Sequence, residues 1–268
     1  MVALGGRSTP DRRSLSYTGF AVIVVVYLAI IQGSGLLLQH TVLDGADDFH
    51  STRNVIVGMW VPLGLALLFT YAVVTWLRWW RPVLHDDRPV RAWVAVVPIV
   101  FVVGILLAID YAGLADKGVG YALALVVGTQ LVGWGEEGMF RGLGVTMLRD
   151  HALREGQVAL WSSVIFGAVH LSNAIGHGVR AVPQAIVVSL AGYFFYLVRR
   201  RTRGNVANSV IHGFFDFSLL SGTAIAADQE LYPGALAAIL VYPVLAVVLL
   251  VRRHHIEPDH RTGVASLA

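Results

Sequence analysis

Glu136 and Glu137 stand side by side within GTQLVGWGEEGMFRGLGVTML, and Arg141 follows Glu137 by four residues. A charge at the centre of a membrane-type segment costs ~2.5–3.5 kcal/mol on insertion scales, so ionisable residues there point by default to a functional site. Further along, His170 lies in SSVIFGAVHLSN, and His212 and Asp216 lie in NVANSVIHGFFDFSLL. A carboxylate of this kind can act as a general base on water. Imidazoles can hold that water, donate to a developing oxyanion or bind a divalent metal. Glu136, His170 and His212 make a donor set suited to Zn²⁺, so a metal-assisted version of the chemistry stands beside a metal-free one. The sequence contains no HExxH, which sets it apart from ordinary zincins, and no Cys, which excludes disulfides and thiolate metal sites.

Helical spacing sorts these residues into roles. Successive residues on a helix point ~100° apart, so Glu136 and Glu137 face different neighbours. Glu137 and Arg141, at i and i+4, share a face and form a natural ion pair, leaving Glu136 to face a cavity. His212 and Asp216 share a face in the same way.

Long apolar elements must position these groups. Hydrophobic residues make up 56% of the chain and charged residues 14%, with a mean hydropathy of +0.67. Such values lie outside the range of soluble domains. Eight apolar segments of about membrane-spanning length occupy roughly 17–38, 54–77, 92–110, 119–148, 157–173, 181–198, 204–222 and 232–251. The expected fold is all-α, a polytopic bundle of about eight transmembrane helices forming one integral membrane domain over 1–268. Within it, 119–222 is the chemistry-bearing core. The run after Arg12 and Arg13 is too long for a signal-peptide core and reads as an uncleaved anchor.

Charge sets the orientation. Sixteen of the twenty basic residues fall on one side: Arg7, Arg12 and Arg13; Arg78, Arg81, Arg88 and Arg91; Arg149 and Arg154; Arg199, Arg200, Arg201 and Arg203; Arg252, Arg253 and Arg261. The opposite loops hold Arg53, Lys117 and Arg180, together with Asp44, Asp47, Asp48, Asp110, Asp116, Asp228 and Glu230. The positive-inside rule then makes the chain a multi-pass protein of the cell (cytoplasmic) membrane, with cytoplasmic tails at 1–16 and 252–268. The same rule accounts for the basic balance without a nucleic-acid partner, because no basic stripe with interleaved aromatics is present. Glu136 is 13 residues before Arg149, or ~20 Å from the cytoplasmic end of its helix. His170, His212 and Asp216 fall at comparable depth on two further helices.

Plainer roles compete for each residue. His170 alone in an apolar helix suits a hydrogen-bonded packing residue, and Glu137 with Arg141 suits a buried pair holding helices together. Asp216 could brace a backbone. Asn205 and Asn208 suit caps or interhelical contacts. Trp134, Phe214, Phe215 and Phe217 suit core or lipid-facing positions. Three helices bringing carboxylates and imidazoles to one depth favour catalysis over these separate readings.

Three motifs in order then carry a family resemblance. EEGMFR (Glu136 to Arg141) fits EExxxR, FGAVH (Phe166 to His170) fits FxxxH, and HGFFD (His212 to Asp216) fits HxxxN/D. Over about residues 125–220 the chain resembles the CPBP family of intramembrane proteases, which includes the CAAX prenyl endopeptidases and bacteriocin-immunity-type proteins. The resemblance implies that Glu136 activates water together with His170. It implies that His212 and Asp216 position the water or stabilise the oxyanion, and that Glu137 and Arg141 hold the geometry. The substrate would be a peptide or membrane protein reached within the lipid bilayer. One residue departs from the pattern, since the eukaryotic prenyl-protease members carry Asn at the position of Asp216. An ionised Asp cannot donate to an oxyanion. Two rival functions stand beside proteolysis: a non-proteolytic immunity or partner-binding protein, and a small transporter with a proton-relay site.

Overall fold

Long apolar runs leave backbone N–H and C=O groups that can be satisfied only within the segment, and here each run becomes helical. The computed structural model describes residues 12–43, 49–174, 178–224 and 232–258. Helix α1 spans Tyr17–Thr41, capped by the Ser16 hydroxyl accepting from the Gly19 N–H at 3.0 Å. Helix α2 runs Thr52–Leu77 with a π-turn at Ile56–Trp60 and ends at Arg78 in the left-handed region. Helix α3 is Ala92–Ala108, and a 55° bend separates it from the short helix Tyr111–Lys117. Helix α4 has three parts: α-helical Val119–Glu136, a π-helix over Glu137–Gly144, and α-helical Val145–Asp150. Helix α5, Glu155–Val169, tightens into a 3₁₀ turn at His170–Asn173. Helices α6 (Ala181–Thr202), α7 (Asn205–Thr223) and α8 (Ala235–Arg252) follow.

Each of the eight apolar segments is helical over most of its described length. Four helices (α1, α2, α6 and α8) are long and apolar enough to cross a membrane, and α3 with its bent partner makes a fifth. The other three are α4, α5 and α7, the helices that carry Glu136, His170, His212 and Asp216. The α-helical part of α5 is only 15 residues long, and polar and small residues interrupt the apolar runs of α4 and α7. Among the described residues the fold is all-helical, and its apolar helices mark a membrane protein. Residues 1–11 and 259–268 lie outside the described residues, as do Asp44, Asp47, Asp48, Asp228 and Glu230, so most of both expected tails and much of the acidic side fall there.

Small residues set the closest approaches. Helices α4 and α7 pack along one another, and a Cβ on Gly133 would collide with the Ser209 carbonyl and the Gly213 backbone. Helices α5 and α6 pack equally closely, and a Cβ on Gly167 would collide with Ser189 and the Ala185 carbonyl. Close backbone contact is the main way helices associate where lipid removes the hydrophobic drive.

At the Arg149 end of the bundle, two of the arginines counted in the charge bias, Arg199 and Arg200, are buried. Arg199 is fully buried and donates to Asp86 at 2.9 Å and to the carbonyls of Val83, Pro82 and His85. Arg149 donates to Asp86 at 2.9 Å and also pairs with Glu155, while Arg200 grips both carboxylate oxygens of Glu257 at 2.6 and 2.8 Å. Burial by itself would raise the Asp86 carboxyl, but the Arg199 and Arg149 guanidinium groups outweigh it and hold the group below its ordinary value. A folded-state value below the unfolded one stabilises the fold above ~pH 3.9, and that contribution is lost as pH falls through the lowered value. Replacing Asp86 by Asn leaves the buried Arg199 without its counter-charge, a class of change that costs ~3–5 kcal/mol. Thermal unfolding in detergent is expected to show a clear drop in midpoint; an unchanged midpoint at pH 7 would remove the structural role given to Asp86.

Candidate active site

Glu136 closes the α-helical part of α4, and Glu137 opens the π-helix. All eight residues of the π-helix are buried, Glu137 and Arg141 among them. The change from i→i+4 to i→i+5 bonding disturbs the ladder of backbone carbonyls. At this turn Asn205, at the start of α7, donates its side-chain amide to the Glu137 carbonyl at 2.6 Å. Asn208, one turn on, donates to Glu137 Oε2. Both asparagines are thus interhelical contacts, as their positions suggested, and both converge on the same residue.

Glu137 is the hub of the cluster. Its Oε1 lies 3.0 Å from Arg141 Nη1 and 2.8 Å from His212 Nδ1. Arg141 also lies over the Phe166 ring, 3.8 Å from its centroid, with Phe195 on a second side at 5.7 Å. The expected Glu137–Arg141 pair is therefore present, both partners fully buried, and it carries an imidazole as well. Phe195 stacks on His212 with centroids 4.3 Å apart and planes within 13°. Paired on one edge and stacked on one face, that imidazole has little freedom to turn.

The opposite edge of His212 meets the remaining acids. His212 Nε2 is 3.7 Å from Glu136 Oε2 and 3.6 Å from Asp216 Oδ2. These carboxylates are less enclosed than Glu137: 17% of the Glu136 side chain and 25% of the Asp216 side chain are exposed. His170, at the end of α5, directs Nδ1 to the Phe166 carbonyl at 2.8 Å and packs its ring edge-on to Phe166. A carbonyl only accepts, so Nδ1 carries the proton and Nε2 is left with the lone pair in the neutral ring. Glu136, His170, His212 and Asp216 all line one cavity of about 260 Å³. Glu136 and His170 also line a second chamber of about 120 Å³, bounded by Tyr27 and Gln32 of α1.

The structure thus gathers all six residues singled out from the sequence. It adds Asn205, Asn208, Phe166 and Phe195, whose roles depend on contacts between helices far apart in the chain. Phe215, expected in the core or against lipid, is buried and also lines the larger cavity. Among the described residues no three His, Asp or Glu side chains form a group arranged to hold a metal ion, and Glu136, His170 and His212 do not make one. The arrangement provides a carboxylate, two oriented imidazoles and a second carboxylate around a small polar chamber. It can move protons on and off a water molecule.

No curated protein and no solved structure matches the chain. Residues 118–218, which include all six of these residues, match the model of the family described as type II CAAX prenyl endopeptidase Rce1-like. The matched segment is less than half of the chain, and over it the chain is similar to the CPBP/CAAX family of membrane proteases.

Proposed function

We propose that the protein is an intramembrane endopeptidase that hydrolyses a peptide bond in a membrane-associated protein or peptide, with Glu136 as general base. The convergence of Glu136, His170, His212 and Asp216 on one cavity carries this reading. Glu136 accepts a proton from water as the water oxygen attacks the peptide carbonyl carbon, and His170 Nε2 accepts a hydrogen bond from the same water. The tetrahedral intermediate collapses as the C–N bond breaks, and the proton held at the site passes to the departing nitrogen. The products are one carboxylate and one amine. His212, held by Glu137 and Phe195, keeps its Nε2 edge toward both Glu136 and Asp216.

The substrate approaches from the cytoplasmic side or laterally from lipid. An apolar groove of about 620 Å³ between α1 and α5 supports the lateral route. It shares Leu28 and Val169 with the 120 Å³ chamber where Glu136 and His170 are found. Eight spans with both termini in the cytoplasm fit the charge distribution. In a chain without native cysteines, a single Cys at position 46 is expected to react with an impermeant maleimide added outside intact cells. Labelling only from the cytoplasmic side would invert this topology.

Purified protein in liposomes, given a library of quenched-fluorescent peptides, is expected to cleave a subset of them. A proton-relay transporter would instead give uptake or counterflow without cleavage, and an immunity or partner-binding protein would give neither.

A further inference from the structure

Hydrolysis through a tetrahedral intermediate needs N–H or O–H donors aimed at the oxyanion, and the acid–base residues of the cavity are poorly equipped to supply them. Ionised Glu136 and Asp216 only accept. His170 has committed its Nδ1 proton to the Phe166 carbonyl, so its neutral ring faces the cavity as an acceptor. His212 holds Nδ1 against Glu137, and its Nε2 is set between two carboxylates. In relatives where Asn occupies the position of Asp216, an amide donor is available there. Here that position is an acid.

Two amides do line the cavity. Asn173 closes the 3₁₀ turn that begins at His170, and Gln184 lies near the start of α6. Asn173 Nδ2 donates to Gln184 Oε1 at 3.1 Å, while Asn173 Oδ1 accepts from Gln32 of α1 at 3.4 Å. In this arrangement one Nδ2 hydrogen of Asn173 is uncommitted. Asn173 also borders the 120 Å³ chamber together with Glu136 and His170, so it reaches both spaces adjoining the general base.

We infer that Asn173 is the oxyanion donor of this site, held in place by Gln184 and Gln32, and that it supplies the neutral N–H that Asp216 cannot. The inference rests on the proteolytic reading above. It places the developing negative charge on the α5 side of the cavity, away from Asp216. Tyr242, whose hydroxyl is a further neutral donor on the cavity wall beside the Gln184 amide, is the comparison residue.

The test uses the full-length protein in liposomes and a peptide cleaved by wild type, with kcat and KM measured for Asn173→Ala, Asn173→Asp and Tyr242→Phe. A phosphinic analogue of the same peptide, which mimics the tetrahedral state, supplies a binding readout independent of turnover. Removing one such donor lowers kcat by about 10²–10³-fold in enzymes where it has been measured. Asn173→Ala is expected to lose a factor of that order in kcat with KM little changed, and to lose a similar factor in affinity for the phosphinic analogue. Asn173→Asp, which keeps the shape and replaces the donor by an acceptor, is expected to be no better. Melting temperatures close to wild type for both variants separate this loss from misfolding. Asn173 variants within threefold of wild-type kcat, a loss confined to KM, or a larger loss in Tyr242→Phe would each overturn the assignment while leaving the protease reading intact. Absence of peptide cleavage by the wild-type protein would bring down both.

Discussion

Glu136→Gln abolishes peptide cleavage while leaving the protein folded. Glu136 is the acid with both a cavity-facing position and no ion pair closer than 3.7 Å, so a neutral amide of the same shape disturbs little packing. What it removes is the basic oxygen. General-base assistance contributes about 10²–10⁴-fold, and an amide gives none. Turnover of the best library peptide is therefore expected to fall by at least about a hundredfold, with binding of a non-cleavable peptide preserved. Turnover within tenfold of wild type would take Glu136 out of this role and move attention to Asp216. Chelation followed by Zn²⁺ add-back on the wild type belongs in the same assay. Unchanged turnover supports the metal-free reaction, and loss restored by the metal replaces it.

Breaking the pair beneath the site has the second large effect. Replacing Glu137 by Gln leaves Arg141 fully buried with only aromatic faces for company, and replacing Arg141 by Met leaves Glu137 charged and buried. Either change is expected to cost ~3–5 kcal/mol, a sizeable part of a marginal folding free energy. The double variant removes both charges and is expected to be less damaging than the two single costs summed. Reversible unfolding in mixed micelles measures this cycle. Singles that each cost under ~1 kcal/mol would show that the pair is not what holds α4 to its neighbours. Glu137→Gln has a separate catalytic consequence, because His212 then loses the carboxylate at Nδ1 and with it a fixed ring orientation.

Much of this architecture was legible in the sequence because it depends on local periodicity. Apolar runs of membrane length marked the eight helical segments, and the i, i+4 spacing of Glu137 and Arg141 was enough to predict their contact. Glu136 and Glu137 pointed apart, as helical geometry requires. Contacts across about 70 residues of chain were not legible. Nothing in the local pattern says that Asn205 and Asn208 both reach Glu137, or that Phe166 and Phe195 flank Arg141. The arginines near the Arg149 end show why such inference stops. Arg199 and Arg200 look like topology charges by position, yet the chain around Asp86 folds over them and turns them into buried anchors. One signal was readable in hindsight. Glycines at 133, 135, 138, 142 and 144 crowd one segment, and several would clash with side chains or backbone if given a Cβ, the mark of a helix pressed closely by its neighbours.

The π-helix at Glu137–Gly144 bears on how far the gene can vary in length. A helix bonded i→i+5 accommodates about one residue more than an α-helix in the same stretch, so this part of the chain carries a surplus residue. Deleting any single codon there would let the helix relax to ordinary α geometry. The helix on either side would keep its phase, with Glu136 toward the cavity and Arg149 toward Asp86, and what would change is the local placement of the Glu137–Arg141 pair between them. Single substitutions at Glu137, Arg141 or the tightly packed Gly142 are costly here, whereas loss of the surplus residue is a change that the two ends of α4 can accommodate. The interval from the paired glutamates to Arg149 thus has one residue of slack in its length and little in its composition, and descendants one residue shorter here should keep the flanking helix while differing at the buried ion pair.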